Sequence, residues 1–219
     1  REEGWTDMEY MLRNWNNFCW LCGDHILDTH VHNIDVINWF LGKHPVEAIG
    51  FGGRARRLTG DQYDFFSIDF DYGNGVFSHS MSRQIDDCAN TLGELIVGTE
   101  GYTNCKNTVY NLDGSVKWKY DYPKDKEGKS TEVVAVSPYV QEHISLVTAI
   151  RTNKPVVEAE RTAISTLTAI MGRTAAYTGQ KVTWDEMMNS TMKLGPEKYE
   201  MGPVAMEFPV PVPGSQHKE

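Results

Sequence analysis

Positive charge is what this chain has least of: 21 lysines and arginines stand against 30 aspartates and glutamates, a formal net charge of −9. That deficit argues against a nucleic-acid or anionic-membrane partner, because both are held by a basic face. The short basic cluster Arg54, Arg56 and Arg57 reads instead as a solvated strand end or the edge of a substrate site. Cysteine is scarce, four in 219 residues, too few and too scattered for a disulfide scaffold. Cys19 and Cys22 form a C-x-x-C, but they lie in an aromatic run with no second such pair, so zinc or redox chemistry does not follow. No run approaches the roughly 18 uncharged apolar residues of a membrane span. No leader pattern opens the chain, which begins at Arg1 as a processed or cropped chain would. A dinucleotide fingerprint is missing as well. Gly50-Phe51-Gly52-Gly53-Arg54-Ala55 fits the loose G-x-G-x-x-A form, yet that fingerprint needs a helix opening at once. Residues 54–64 carry few apolar side chains and no helical stripe, so this chain alone is expected to bind no dinucleotide.

What is present is a polar stripe. The stretch from Gly23 to Gly42 holds His25, His30 and His32 with Asp24, Asp28 and Asp35. Read as one helix from Asp24 to Leu41, at ~100° per residue, it gathers Asp24, His25, Asp28, His32 and Asp35 on one side. His30, Ile34, Ile37 and Leu41 fall on the other, so His30 is expected to be far more buried than Asp24. Water does not require imidazoles interleaved with carboxylates, and the stripe reads as the wall of a site. Asp28 and His32 stand at i and i+4, where a carboxylate can orient an imidazole and hold its tautomer. Such a pair suits a general base near neutral pH.

Around this stripe the chain, 40% apolar, can bury a substantial core. Residues 5–21 form a loop or short helix rich in aromatics, and Arg13 and Trp20 lie close enough in sequence to line the same cavity. Strands are expected at 46–55, 63–72, 76–84, 92–97, 102–111 and 116–120, rich in β-branched and aromatic residues, with Gly73-Asn74-Gly75 as a hairpin turn. Successive hairpins predict an α+β fold: a large, mainly antiparallel open sheet with helices packed on one face. The lysine-rich stretch 123–131 reads as a mobile loop. Ser137-Pro138 opens a helix running to about Asn153. Another spans about Ala159 to Tyr177, with small residues that allow close approach. Residues 1–194 are expected as one domain and 195–219 as an extended proline-rich tail.

With these motifs laid out, the chain resembles the C-terminal half of the Gfo/Idh/MocA family, glucose-fructose oxidoreductase and inositol dehydrogenase-like proteins. The carrying residues include Arg13-Asn14-Trp15, Trp20, Asp28-x-x-x-His32-Asn33-x-Asp35, Asn38-Trp39, Gly98-Thr99-Glu100-Gly101 and Gly172-Arg173-x-Ala175-Ala176-Tyr177. The resemblance implies a substrate and oligomerisation domain whose sheet makes contacts between copies, with NAD or NADP held mainly by an N-terminal Rossmann domain absent from this chain. It places the family's D-x-x-x-H pair on Asp28 and His32. The family lysine belongs to the absent domain. His25, Trp20, Arg83 and Arg13 are the expected contacts to sugar hydroxyls or rings of a small carbohydrate substrate.

Three functions share these residues. One is an NAD(P)-dependent oxidoreductase acting on a sugar, polyol or glycoside hydroxyl. A second is a metal-dependent hydrolase or lyase built on His25, Asp28 and His32, ligand types suited to zinc or manganese. The third is a non-catalytic carbohydrate-binding or oligomerisation module.

Overall fold

The computed structural model describes residues 1–124, 126–128, 137–204 and 209–215. In chain order its elements are α1 (Asp7–Arg13), α2 (Cys19–Cys22), α3 (His25–Asp28), α4 (Val31–Leu41), β1 (Glu47–Gly53), β2 (Phe65–Asp71) and β3 (Phe77–Arg83). There follow β4 (Ile96–Val97), β5 (Tyr102–Thr103), β6 (Thr108–Tyr110), β7 (Val116–Lys119), α5 (Pro138–Thr152), α6 (Ala159–Thr178), β8 (Val182–Thr183) and α7 (Trp184–Met188). The span expected as one domain distributes over two compact units, residues 1–90 with 161–219 and residues 91–160. The α+β class and the antiparallel pairing hold, with the strands grouped in two four-stranded sheets, β3-β2-β1-β8 and β4-β5-β6-β7.

The first unit is built on β2. Alternate residues of a strand face opposite sides, and Phe66, Ile68 and Phe70 are fully buried while Asp69 between them is exposed. Each such buried side chain stabilises the fold by roughly 1.5–3 kcal/mol. α6 lies on this face because Ala169, Gly172, Ala175 and Ala176 let it approach. A Cβ on Gly172 would stand 2.8 Å from Phe70 Cζ. The turn between β2 and β3 is the expected one: Gly73, Asn74 and Gly75 all have positive φ, and Asp71 accepts the Gly73 N–H at 2.6 Å. The supposed fingerprint glycines are strand residues. A Cβ on Gly52 would stand 2.5 Å from the Phe65 carbonyl oxygen, and one on Gly50 2.7 Å from that of Ser67. These glycines serve sheet packing, and no helix follows them.

The chain beyond α6 is anchored. Thr183 and Glu186 make a reciprocal capping box at the start of α7, and β8 pairs with the start of β1. Of the tail expected over 195–219, residues 205–208 and 216–219 lie outside the described residues; Tyr63 donates to the Pro211 carbonyl at 2.9 Å, and Gly214 N–H to that of Thr178 at 3.1 Å.

In the second unit, the single strand expected over 102–111 is two, β5 and β6, because Cys105 and Asn107 adopt positive φ and turn the chain. Ser137 and Pro138 open α5 and Asn153 closes it in the left-handed conformation. Of the polar stretch 123–131, residues 125 and 129–131 lie outside the described residues.

Candidate active site

The stretch expected as one helix is two. Gly23 and Asp24 both have positive φ, 81° and 79°, so the chain turns sharply before α3. With ψ at 163°, Asp24 lies in a region that is almost glycine's alone, and the surroundings hold it there by saturating its carboxylate. It accepts from His25 N–H at 2.6 Å, Tyr63 N–H at 2.8 Å and Tyr177 O–H at 2.5 Å. One turn later Thr29 and His30 both donate their N–H to the His25 carbonyl, at 3.0 Å each. That widening inserts a residue into the helical ladder, and α4 starts with a new phase at Val31.

The expected burial order is therefore reversed. Asp24 is 0% exposed, whereas His30 is half-buried at the junction between α3 and α4. Periodicity put Asp24 on the wet side, but its three donors hold it inside. His30 Nε2 lies 2.8 Å from Ser80 Oγ. Burial, with the neighbouring His25 adding to it, pushes the His30 imidazole down to about 4 and keeps it neutral.

His25 is buried too, its ring 5.0 Å from that of Phe66. Its Nδ1 lies 3.2 Å from Asp24 Oδ1 and its Nε2 3.0 Å from Ser82 Oγ. The network assigns the proton to Nδ1, facing the carboxylate, and leaves Nε2 to accept from the serine. Both ring nitrogens are thus engaged within the protein, not turned to a ligand. Asp28 and His32 are exposed, and no hydrogen bond or ion pair joins them among the described residues. The change of helical phase between them removes the i, i+4 relation that the spacing promised.

The remaining expected contacts are scattered. Arg13 is exposed, pairing with Glu9 at 3.1 Å and lying 4.9 Å over the Trp5 ring. Arg83 is exposed and donates to the Ala89 carbonyl at 2.6 Å. Trp20 packs against Tyr199, ring centroids 5.9 Å apart, and its buried Nε1 has no hydrogen-bond partner among the described residues. Asp35, expected on the polar stripe, turns instead to α6, accepting from Ser165 Oγ at 2.7 Å and Arg161 Nη1 at 2.8 Å. Asn38 on the same helix is buried, bonded by Tyr72 O–H at 2.8 Å and donating to Thr168 Oγ1 at 3.1 Å. These contacts fix α4 and present His32 to solvent.

The interior cluster around Asp24 escaped the sequence reading, although the Gly-Asp step before α3 was its local signal. Arg173 is buried beside it, donating to the Gly23 carbonyl at 3.0 Å. Burial pushes the Tyr177 phenol strongly up, and Asp24 adds to it. Burial pushes the Cys19 thiol up to about 11 and raises Cys22 as well. Among the described residues, no group of three or more His, Cys, Asp or Glu side chains is placed to hold a metal ion, His25, Asp28 and His32 included. No described helix is long and apolar enough to cross a membrane.

No protein-family profile matches the chain and no curated protein sequence does. Solved structures do. Myo-inositol 2-dehydrogenase from Lactobacillus plantarum is 17% identical with a TM-score of 0.55, over 80% of this chain and 52% of its own. Scyllo-inositol dehydrogenase from Lactobacillus casei, with bound NAD(H) and scyllo-inositol, is 18% identical with a TM-score of 0.54, over 80% and 52%. Aldose-aldose oxidoreductase from Caulobacter crescentus, complexed with glycerol, is 15% identical with a TM-score of 0.57, over 77% and 50%. The chain spans about half the length of these structures. At these identities the likeness is one of fold: the α+β fold is shared with these inositol dehydrogenase and sugar oxidoreductase structures.

Proposed function

We propose that this chain is the substrate-binding and catalytic domain of an NAD(P)-dependent oxidoreductase acting on a sugar, polyol or glycoside hydroxyl. The observation that carries the reading is the exposed pair Asp28 and His32 at the junction of α3 and α4, on a fold shared with a structure holding NAD(H) and scyllo-inositol. His32 takes the proton of the substrate hydroxyl, the role an accessible imidazole fills near neutral pH. Asp28 accepts a hydrogen bond from a neighbouring hydroxyl and orients the substrate. Arg83 and Arg13 supply further hydrogen bonds from exposed positions, whereas Trp20, its Nε1 buried, contributes ring surface only. His25 acts through Ser82 and not by direct contact. Gly50, Gly52 and Gly53 lie within β1, and β2 is the next element; the nicotinamide cofactor is assigned to a separate domain.

The outer face of β1, β2 and β3 leaves Ile49, Phe51, Phe77 and Met81 exposed around the Asp69–His79 pair. An uncovered apolar face of this kind supports self-association through that sheet. The site reading is tested by titrating the protein with a panel of polyols and aldoses while following imidazole NMR signals. The His32 signal should shift with a ligand carrying adjacent hydroxyls. Saturating binding that moves signals only elsewhere would overturn the assignment.

A further inference from the structure

We propose that Ser82 is a nucleophile, made reactive by His25 and Asp24, that accepts small acyl groups from activated esters, and phosphonyl groups from fluorophosphonates as the P–F bond breaks, fluoride leaves and His25 takes the hydroxyl proton. This goes beyond the oxidoreductase reading and does not rest on it, since no nicotinamide is needed.

The geometry is that of an activated hydroxyl. Ser82 Oγ lies 3.0 Å from His25 Nε2, within reach for direct proton transfer. The other nitrogen, Nδ1, faces Asp24 Oδ1 at 3.2 Å. The His25 backbone N–H donates to the same oxygen at 2.6 Å, so main chain and ring of His25 are clamped by one carboxylate. Oδ2 is held in turn by Tyr63 N–H and Tyr177 O–H. Nucleophile, base and orienting carboxylate thus stand in the order that acyl-transfer enzymes reach on unrelated folds. The carboxylate and imidazole are buried, where the pair is shielded from water, while Ser82 near the end of β3 is only half-buried.

Two strand positions away is an internal comparison. Ser80 Oγ lies 2.8 Å from His30 Nε2, but Ser80 is buried and its imidazole bonds to Asn33 rather than to a carboxylate. Distance alone would favour Ser80; the carboxylate and exposure favour Ser82.

In the reaction the Ser82 hydroxyl proton passes to His25 Nε2 as Oγ bonds to the ester carbonyl carbon. The ester C–O bond breaks, and the leaving alcohol takes that proton. Water then attacks the acyl-serine, its proton passing by His25 to the departing Oγ, which releases the acid and restores Ser82. The sum is ester plus water giving acid plus alcohol.

The test is incubation of the protein with a fluorophosphonate, location of the adduct by peptide mass spectrometry, and measurement of the labelling rate. The adduct is expected on Ser82, absent in Ser82→Ala and retained in Ser80→Ala. Variants His25→Gln and Asp24→Asn, accepted only when a cooperative thermal transition shows them folded, should lower the maximal labelling rate. The expected loss for His25→Gln is about 10²-fold or more, as for a lost general base. The probe concentration at half-maximal rate should not change in either variant. No adduct on Ser82 in the folded protein, an adduct only on other residues, or a folded His25→Gln or Asp24→Asn labelling as fast as the unsubstituted protein each overturns the proposal. Localisation on the unsubstituted protein decides even where those variants do not fold.

Discussion

The Tyr177 phenol donates to Asp24 Oδ2 at 2.5 Å, tying the start of α3 to the last turn of α6 across 153 residues of chain. The bond holds a buried carboxylate on the residue that sets the direction of α3, so stability and site geometry share one contact.

Tyr177→Phe should therefore destabilise the protein by roughly 1.5–3 kcal/mol, the range for a hydrogen bond to a charged group. Asp24→Ala should cost more, because it strands the Tyr63 N–H, the Tyr177 O–H and the His25 ring together. Urea denaturation of the two variants checks the order. Equal stability of Asp24→Ala and the unsubstituted protein would show that the cluster contributes nothing.

His30 makes stability fall in acid. Its folded value of about 4 lies below its unfolded 6.5, so between those values the unfolded chain binds the proton and the folded one does not. The contribution is fully present above about pH 6.5 and is lost as pH falls towards 4. The full difference, 6.5 against about 4, corresponds to at most about 3.5 kcal/mol at ~1.4 kcal/mol per pH unit. Urea midpoints measured from pH 7 to pH 4 should drop, and His30→Gln should flatten the drop. An unchanged slope in that variant would assign the acid sensitivity to other groups.

If His32 is the base, His32→Ala in the enzyme with its cofactor domain should lower turnover by about 10²- to 10⁴-fold, with the thermal transition unchanged because the side chain is exposed. Asp28→Asn should cost less, since it leaves the imidazole in place. His30→Ala should lose stability with little change in the turnover of what remains folded. Turnover lost in His30→Ala and kept in His32→Ala would transfer the role to His30.

Gly172→Ala sets two effects against each other. The methyl gains about 1 kcal/mol of helix propensity, but it meets Phe70 Cζ at 2.8 Å, and Phe70 is 1% exposed with little room to yield. Overpacking of about 1–3 kcal/mol should win, giving a net loss that a thermal melt would read as a lower Tm. A raised Tm would mean that Phe70 moves freely.

Self-association through the outer sheet face would be broken by charge. Phe51→Glu or Met81→Glu, both at exposed positions, should lower the sedimenting mass to that of one copy without changing the circular dichroism. A multimer surviving both changes would place the contact elsewhere.

Much of the architecture is local and was legible in the residues. β-Branched and aromatic residues marked β1 to β3, Gly73-Asn74-Gly75 marked the hairpin of β2 and β3, and Pro138 and Asn153 bounded α5, because strand propensity, turns and caps depend on neighbours a few positions away. The small residues of α6 announced close packing, which the Gly172–Phe70 approach bears out. The capping signal Thr183-x-x-Glu186 was there to be read for α7 and was missed.

The site was not local. Periodicity assumes an unbroken helix, and nothing between Gly23 and Gly42 says that the chain widens at Thr29 and His30. The donors that draw Asp24 inside come from Tyr63 and Tyr177, 39 and 153 residues away, and the serine on His25 lies 57 residues away. A carboxylate goes into a core only when such distant partners arrive to satisfy it. The chain alone therefore determined that histidines and carboxylates would gather between Gly23 and Gly42, and tertiary contacts decided which of them face water and which are locked within.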